Sequence, residues 1–181
     1  MKIYNYSILI HYSEIALKLK NRPYFERIFI NNIKLHLKGL GFSNIKLKAA
    51  RVIIHDIQIK DWDKFKNCLK NVMGLQNATL MIKVKTDLKE IKNASSYLLK
   101  NVSFDKFRIT TKRQYKQFKY TSGDINTIIG KHIQDLTKSA VNLNNPDCNF
   151  IIEIMKEYGF EPHLDGHFLW KSKNNKIGFI E

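Results

Sequence analysis

The sequence has only two cysteines and no long apolar segment. Cys68 and Cys148 lie far apart, and neither belongs to a C-x-x-C pair, which argues against a disulfide framework and indicates a reducing compartment. No apolar run approaches the ~20 residues that a membrane-spanning helix needs, and the first residues show no cleavable signal segment. We therefore expect a soluble, cytoplasmic protein with no membrane partner.

Common motifs of nucleotide-dependent and hydrolytic enzymes are also missing. The sequence contains no G-x-x-x-x-G-K-[ST], G-x-G-x-x-G, H-E-x-x-H, G-x-S-x-G or S-G-G-x-D-S string. We therefore expect no cofactor, no catalytic residue and no enzyme activity of this chain by itself.

One short string could bind a metal. His163, Asp165 and His167 would share one face of a strand and could present three metal ligands. The Asp165-Gly166 pair, however, favours a hairpin turn, which would break that alternation, and Asn174-Asn175 marks a second turn. A self-contained metal-dependent enzyme is therefore the least favoured alternative, and we predict no metal site.

Acidic residues are scarce relative to basic ones. The chain has 16 Asp and Glu against 31 Lys and Arg, a formal net charge of +15, which favours a polyanionic partner such as nucleic acid. Abundant Lys and Asn can also follow from an AT-rich genome, so the local distribution of charge carries more weight. Residues 106–120 contain six Lys or Arg, four aromatics and no acid. Such a segment can neutralise phosphates and stack on bases, so it predicts RNA binding.

Several side chains in and after this segment are candidates for RNA contact. The cations predicted to hold phosphates are Lys112, Arg113, Lys116 and Lys119. Phe118 is predicted to anchor the segment in the core rather than to stack on a base. Gly130 interrupts the helix that follows, at a cost of ~1 kcal/mol relative to alanine, so a packed element or a ligand should approach its backbone closely. Asn126 and Lys131 lie near it on the polar side.

A second basic stretch lies near the start of the chain. Glu14 is the only acid before Glu26, and it is surrounded by cations at positions 18, 20, 22 and 27. Its carboxylate could orient cations that meet RNA, or it could form a loose exposed ion pair worth roughly 0–1 kcal/mol. Residue type alone supports these two interpretations equally.

Hydrophobic periodicity predicts an α/β (α+β) protein with two domains, residues 1–76 and 77–181. The first domain is predicted as β-α-β-β-α-β, the ferredoxin-like order, with Asp61 as a cap of its second helix. The second is predicted as a helix capped by Asp87, a strand at Lys106–Lys112, a helix capped by Thr121 or Ser122, a strand at Phe150–Met155 buried on both faces, and a hairpin-like tail.

The order of these residues resembles the THUMP domain, most closely that of tRNA 4-thiouridine synthetases of the ThiI type. The resemblance in the second half rests on Lys112-Arg113, Phe118, Ser122, Asn126, Gly130, Asn145-Pro146-Asp147 and Glu153-Ile154. The first half resembles the ferredoxin-like domain that precedes THUMP in that family, through Tyr12-Ser13-Glu14-Ile15, Lys18, Lys20-Asn21-Arg22-Pro23, Phe25-Glu26-Arg27 and Val72-Met73-Gly74-Leu75.

The resemblance implies a protein that grips the acceptor stem and 3′ end of tRNA. It implies a tRNA-end site at Lys112, Arg113, Phe118, Ser122, Asn126 and Gly130, and a secondary RNA surface at Lys18, Lys20, Asn21 and Arg22. Because the catalytic domain of that family is missing from the sequence, we expect the RNA-binding half of a split tRNA sulfurtransferase. Its partner would be a separate PP-loop ATP pyrophosphatase subunit that makes 4-thiouridine at uridine 8. An adaptor for a tRNA acetyltransferase or methyltransferase is the alternative, and a homodimer is possible.

Overall fold

The computed structural model describes residues 5–12, 19–48, 50–85, 87–100, 103–113, 116–156 and 164–172. These residues form two compact units, which consist mainly of residues 5–80 and 81–176. Both units combine strands and helices, so the predicted α/β (α+β) class is confirmed.

The first unit has the predicted β-α-β-β-α-β order. Its elements are β1 (Tyr6–Tyr12), α1 (Arg22–His36), β2 (Asn44–Lys48), β3 (Arg51–Ile57), α2 (Trp62–Leu69) and the first part of β4 (Leu75–Lys85). The strands lie in the order β2-β3-β1-β4, and β3 is antiparallel to both of its neighbours. The apolar residues of α1 recur at three- and four-residue spacing, so Phe29, Ile33 and Leu37 all face the sheet and are buried.

The second unit consists of the last part of β4 and the remaining elements. These are α3 (Leu88–Leu99), β5 (Lys106–Arg113), α4 (Ser122–Thr137), β6 (Ala140–Val141), β7 (Cys148–Lys156) and β8 (Leu164–Ser172). The strands lie in the order β4-β8-β7-β5-β6; β5 is parallel to β6 and β7, whereas β8 is antiparallel to β4 and β7. The core of this unit lies between the sheet and α3 and α4, where Ile125, Ile129 and Ile133 are fully buried.

Side-chain capping differs among the predicted helix starts. Asp61 and Asp87 precede α2 and α3 as expected, but neither side chain accepts a capping hydrogen bond from a backbone N–H of its helix. Asp61 instead pairs with Lys64 at 2.8 Å. Thr121 does cap α4, with reciprocal bonds to Asp124, so the prediction of a cap at that position is confirmed.

The predicted turn at Asp165-Gly166 is wrong. Both residues lie inside β8, where Gly166 is in register with Val84 of β4 and with Ile154 of β7. Pairing with strands on both sides outweighs the local preference of an Asp-Gly pair for a turn. His163 and Asn174-Asn175 lie outside the described residues. Burial of β7 on both faces is confirmed, because Ile152 and the neighbouring Glu153 are both at most 1% exposed.

Among the described residues, no helix is long and apolar enough to cross a membrane. No group of three or more His, Cys, Asp or Glu side chains among those residues could hold a metal ion.

Candidate nucleic-acid interface

The start of α4 is held by a reciprocal cap. The Asp124 backbone N–H donates to Thr121 Oγ1 at 3.1 Å, while the Thr121 backbone N–H and hydroxyl both donate to Asp124 Oδ2 at 2.8 Å. The Thr121 hydroxyl and then the Thr121 backbone N–H hold the pKa of the Asp124 carboxyl below its ordinary range. A capping box of this kind satisfies backbone donors at the helix start and fixes its direction.

Arg113, the last residue of β5, is hydrogen-bonded to the basic segment that leads into α4. Its Nη1 donates to the Tyr120 carbonyl at 2.8 Å and to the Phe118 carbonyl at 3.5 Å. The rings of Phe118 and Tyr120 lie 5.8 Å apart, and both pack against the core of the second unit. The position of Phe118 agrees with the prediction that it anchors the segment. Lys116 and Lys119 remain exposed on this segment, with Lys119 Nζ 5.5 Å from the centre of the Tyr120 ring.

The register of α4 over β5 follows from Gly130, which is buried. An ideal Cβ at Gly130 would lie 3.8 Å from Ile109 Cγ1, so Gly130 lies over Ile109. Because β5 and β6 are parallel, α4 must run back along β5. Asn126, one helical turn before Gly130, therefore lies nearer than Gly130 to the end of β5 that carries Thr111 and Arg113.

Three polar atoms in this region are buried without a hydrogen-bond partner among the described residues. They are Thr111 Oγ1, Arg113 Nε and Asn126 Oδ1. Buried polar atoms are normally hydrogen-bonded, so such a group indicates a place where water or a ligand completes the hydrogen bonding. The three atoms are an acceptor, a donor and a hydroxyl, so each could take a water or ligand atom as its partner.

The structure brings most, but not all, of the predicted site residues together. Arg113, Phe118, Ser122 and Asn126 lie around the end of β5 and the first turns of α4, and the exposed Lys131 lies further along α4. Lys112 is exposed, but strand alternation places it on the sheet face opposite α4, in register with the buried Glu153.

The other predicted surface lies in the first unit. Lys20 and Asn21 are exposed immediately before α1. Arg22 begins α1, and its guanidinium pairs with Glu26. Lys18 and Glu14 lie outside the described residues.

Sequence reasoning missed three residues near these surfaces. Glu26 and Tyr12 are buried partners of Arg22, and Thr111 faces the start of α4. The four-residue spacing of Arg22 and Glu26 is a signal that was available, because residues at i and i+4 face each other on a helix. No sequence signal distinguishes Thr111 from other strand threonines.

Comparison with known proteins identifies both units. Residues 7–79 match the ThiI ferredoxin-like domain, and residues 85–158 match the THUMP domain. A probable tRNA sulfurtransferase of Coxiella burnetii is 35% identical over 168 residues, which cover 88% of this chain and 43% of that protein. The chain therefore spans less than half the length of this curated relative.

Two crystal structures show the same fold. The protein PH1313 from Pyrococcus horikoshii aligns with a TM-score of 0.76 at 24% identity, over 92% of this chain and 54% of that one. A 4-thiouridine synthetase, solved as an RNA complex with bound ATP, aligns with a TM-score of 0.72 at 28% identity, over 91% of this chain and 41% of that one. The resemblance predicted from the sequence is confirmed: the chain contains a ThiI ferredoxin-like domain followed by a THUMP domain.

Proposed function

We propose that this chain is a tRNA-binding protein that grips the acceptor stem and 3′ end of tRNA. In this proposal it is not an enzyme by itself and presents the tRNA to a separate PP-loop subunit, which makes 4-thiouridine at uridine 8. The observation that supports the proposal is the basic segment that Arg113 holds before α4, together with three buried polar atoms that have no hydrogen-bond partner among the described residues.

The chemistry of this region suits a single-stranded RNA end. Arg113 Nη1 donates to two carbonyls of the segment itself and Arg113 Nε is buried, so the exposed lysines are the cations offered to phosphates. Lys116, Lys119 and Lys131 are all exposed. Asn126 and Thr111 would serve an unpaired base, since RNA specificity usually resides in unpaired nucleotides.

Dependence on the 3′ end can be tested with two RNA minihelices. Both reproduce a tRNA acceptor stem, and one lacks the single-stranded 3′ nucleotides. We expect the intact minihelix to bind the full chain more tightly, because stacking and hydrogen bonds to unpaired bases are lost with the end. Equal affinity for both RNAs would refute the assignment of the site to the 3′ end.

The basic segment can be tested by its salt dependence. In the double variant Lys116→Ala/Lys119→Ala, the slope of log affinity against log salt should fall by about 1.4–1.8, the value expected for two phosphate contacts. The matched control is Lys34→Ala/Lys38→Ala, which removes two exposed lysines at the C-terminal end of α1, in the first unit. Equal effects of the two double variants would show that only total charge matters.

The partner can be identified by affinity capture with the full chain. Recovery of a protein that carries S-G-G-x-D-S, together with 4-thiouridine formation only when both chains are present, is the expected result. Recovery of a tRNA acetyltransferase or methyltransferase would be consistent with tRNA binding but would identify a different partner enzyme.

A further inference from the structure

A buried acid in the first unit holds an arginine at its surface. Glu26 is only 7% exposed and Tyr12 only 5%, although both carry polar groups. Burying a carboxylate costs several kcal/mol unless hydrogen bonds and an opposite charge compensate for it. A cluster retained at this cost suggests a role beyond packing, since apolar side chains of similar size often stabilise as well or better.

The contacts in this cluster fix the orientation of the Arg22 guanidinium. Arg22 Nε donates to Glu26 Oε1 at 2.7 Å, and Arg22 Nη2 donates to the Tyr12 hydroxyl oxygen at 3.2 Å. The Tyr12 hydroxyl donates to the same Glu26 oxygen in a short hydrogen bond. Burial raises the pKa of Tyr12, and the hydrogen bond to Glu26 raises the pKa of Arg22, so Tyr12 remains neutral and Arg22 charged.

Part of the Arg22 guanidinium has no partner among the described residues. Two of its five N–H groups are used by Glu26 and Tyr12, and two of the remaining three point from the Nη1–Nη2 edge. The Arg22 side chain as a whole is 34% exposed. An edge with two parallel N–H groups matches the geometry of a phosphate, and fixing it beforehand lowers the entropy cost of binding.

The surroundings of Arg22 also favour an anion. Lys20 and Asn21 are exposed directly before it, and the first turn of α1 contains no acidic residue. The Asn21 side chain makes no capping hydrogen bond to α1, so it leaves the backbone donors of that turn open to another acceptor.

We propose that Tyr12 and Glu26 are positioning residues that hold Arg22 as a bidentate contact for a phosphate of the acceptor-stem backbone. This inference rests on the proposed function, because it names the residues that orient one of its RNA contacts. It assigns Glu26 a part in RNA binding although Glu26 itself carries a negative charge and is buried.

The direction in which one substitution changes RNA affinity distinguishes positioning of Arg22 from general charge attraction. Glu26→Gln makes the chain more positive by one charge, so general attraction to RNA predicts tighter binding. Positioning predicts weaker binding, because Arg22 loses the anion that fixes its orientation. The matched control is Asp63→Asn, which adds the same charge at a side chain that is 83% exposed and should leave binding equal or slightly tighter.

The experiment measures binding of the intact acceptor-stem minihelix to the full chain across a salt series. Arg22→Ala should weaken binding about five- to tenfold near 0.1 M salt and lower the salt slope by about 0.7–0.9, whereas Lys34→Ala should change neither to that extent. Glu26→Gln should weaken binding several-fold. Tyr12→Phe keeps the charge and the ring that packs on Phe29, so it tests the hydrogen bond alone, with an expected loss of about two- to fivefold.

Every result of these measurements supports or overturns the inference. If Glu26→Gln does not fold, Tyr12→Phe still tests the positioning of Arg22. Lower thermal stability of Tyr12→Phe with unchanged affinity and salt slope would show a purely structural cluster and overturn the inference. If Arg22→Ala changes RNA affinity and salt slope no more than Lys34→Ala does, while the unmodified chain binds the minihelix, the inference fails and the proposed function stands. If the unmodified chain binds neither minihelix, both fail.

Discussion

Replacing Gly130 with alanine tests how α4 packs on β5. A glycine inside a helix costs ~1 kcal/mol relative to alanine, because its backbone loses more freedom on folding. The new methyl group would lie 3.8 Å from Ile109 Cγ1, an ordinary van der Waals contact, so no steric penalty offsets the gain. We expect Gly130→Ala to raise the free energy of unfolding by about 0.5–1 kcal/mol.

Thermal and denaturant unfolding of the full chain measure this change. A gain of this size corresponds to a rise of several degrees in the melting temperature of a unit of about 100 residues. Gly39→Ala is a control for which we expect lower stability. Nothing lies within 4 Å of its added Cβ, but its φ of +90° strains any residue with a side chain. Lower stability of Gly130→Ala would refute the packing argument.

The same variant separates two interpretations of Gly130. Its added methyl group faces Ile109, so RNA affinity should not change if the glycine serves only packing. Weaker RNA binding by a variant of unchanged or higher stability would show that RNA approaches the helix backbone at this position.

Two further predictions concern the start of α4. Asn126→Leu removes a buried acceptor that has no hydrogen-bond partner among the described residues, so we expect unchanged or higher stability in unfolding experiments but weaker binding of the intact minihelix. Loss of both stability and binding, or of neither, would contradict a role for this amide in RNA binding. Asp124→Asn should reduce stability above about pH 5, because the pKa of Asp124 is lowered in the folded state and its contribution is complete above the unfolded pKa. The difference from the unmodified chain should shrink as the pH falls below about 4, and a difference that does not depend on pH would refute the assignment.

Local patterns predicted the elements wherever one face of an element is clearly apolar. The helical stripes of α1 and α4 and the strand β5 lie where their periodicity places them. Local turn preference failed at Asp165-Gly166, because pairing with β4 and β7 is decided by residues far away in sequence. The same limit applies to caps: Asp61 and Asp87 have the right position, but capping depends on a side-chain rotamer that sequence does not specify.

Candidate residues could be identified by type and order, but their roles could not. Arg113 was expected among the phosphate contacts, whereas its guanidinium donates to the carbonyls of Phe118 and Tyr120. Lys112 was grouped with it, yet strand alternation places the two on opposite faces of the sheet. A basic residue in a sequence has a known charge, but what its donors contact depends on the chain around it.

The sequence by itself determined the family, the two-domain order and the excess of positive charge. These properties follow from residue types and their spacing along the chain. Only the tertiary structure decided which cations are held by other groups: Glu26 and Tyr12 hydrogen-bond to Arg22, and the segment before α4 accepts hydrogen bonds from Arg113 Nη1. The physical reason is that hydrogen bonds and burial depend on distances between residues that are separate in sequence, such as Tyr12 and Glu26.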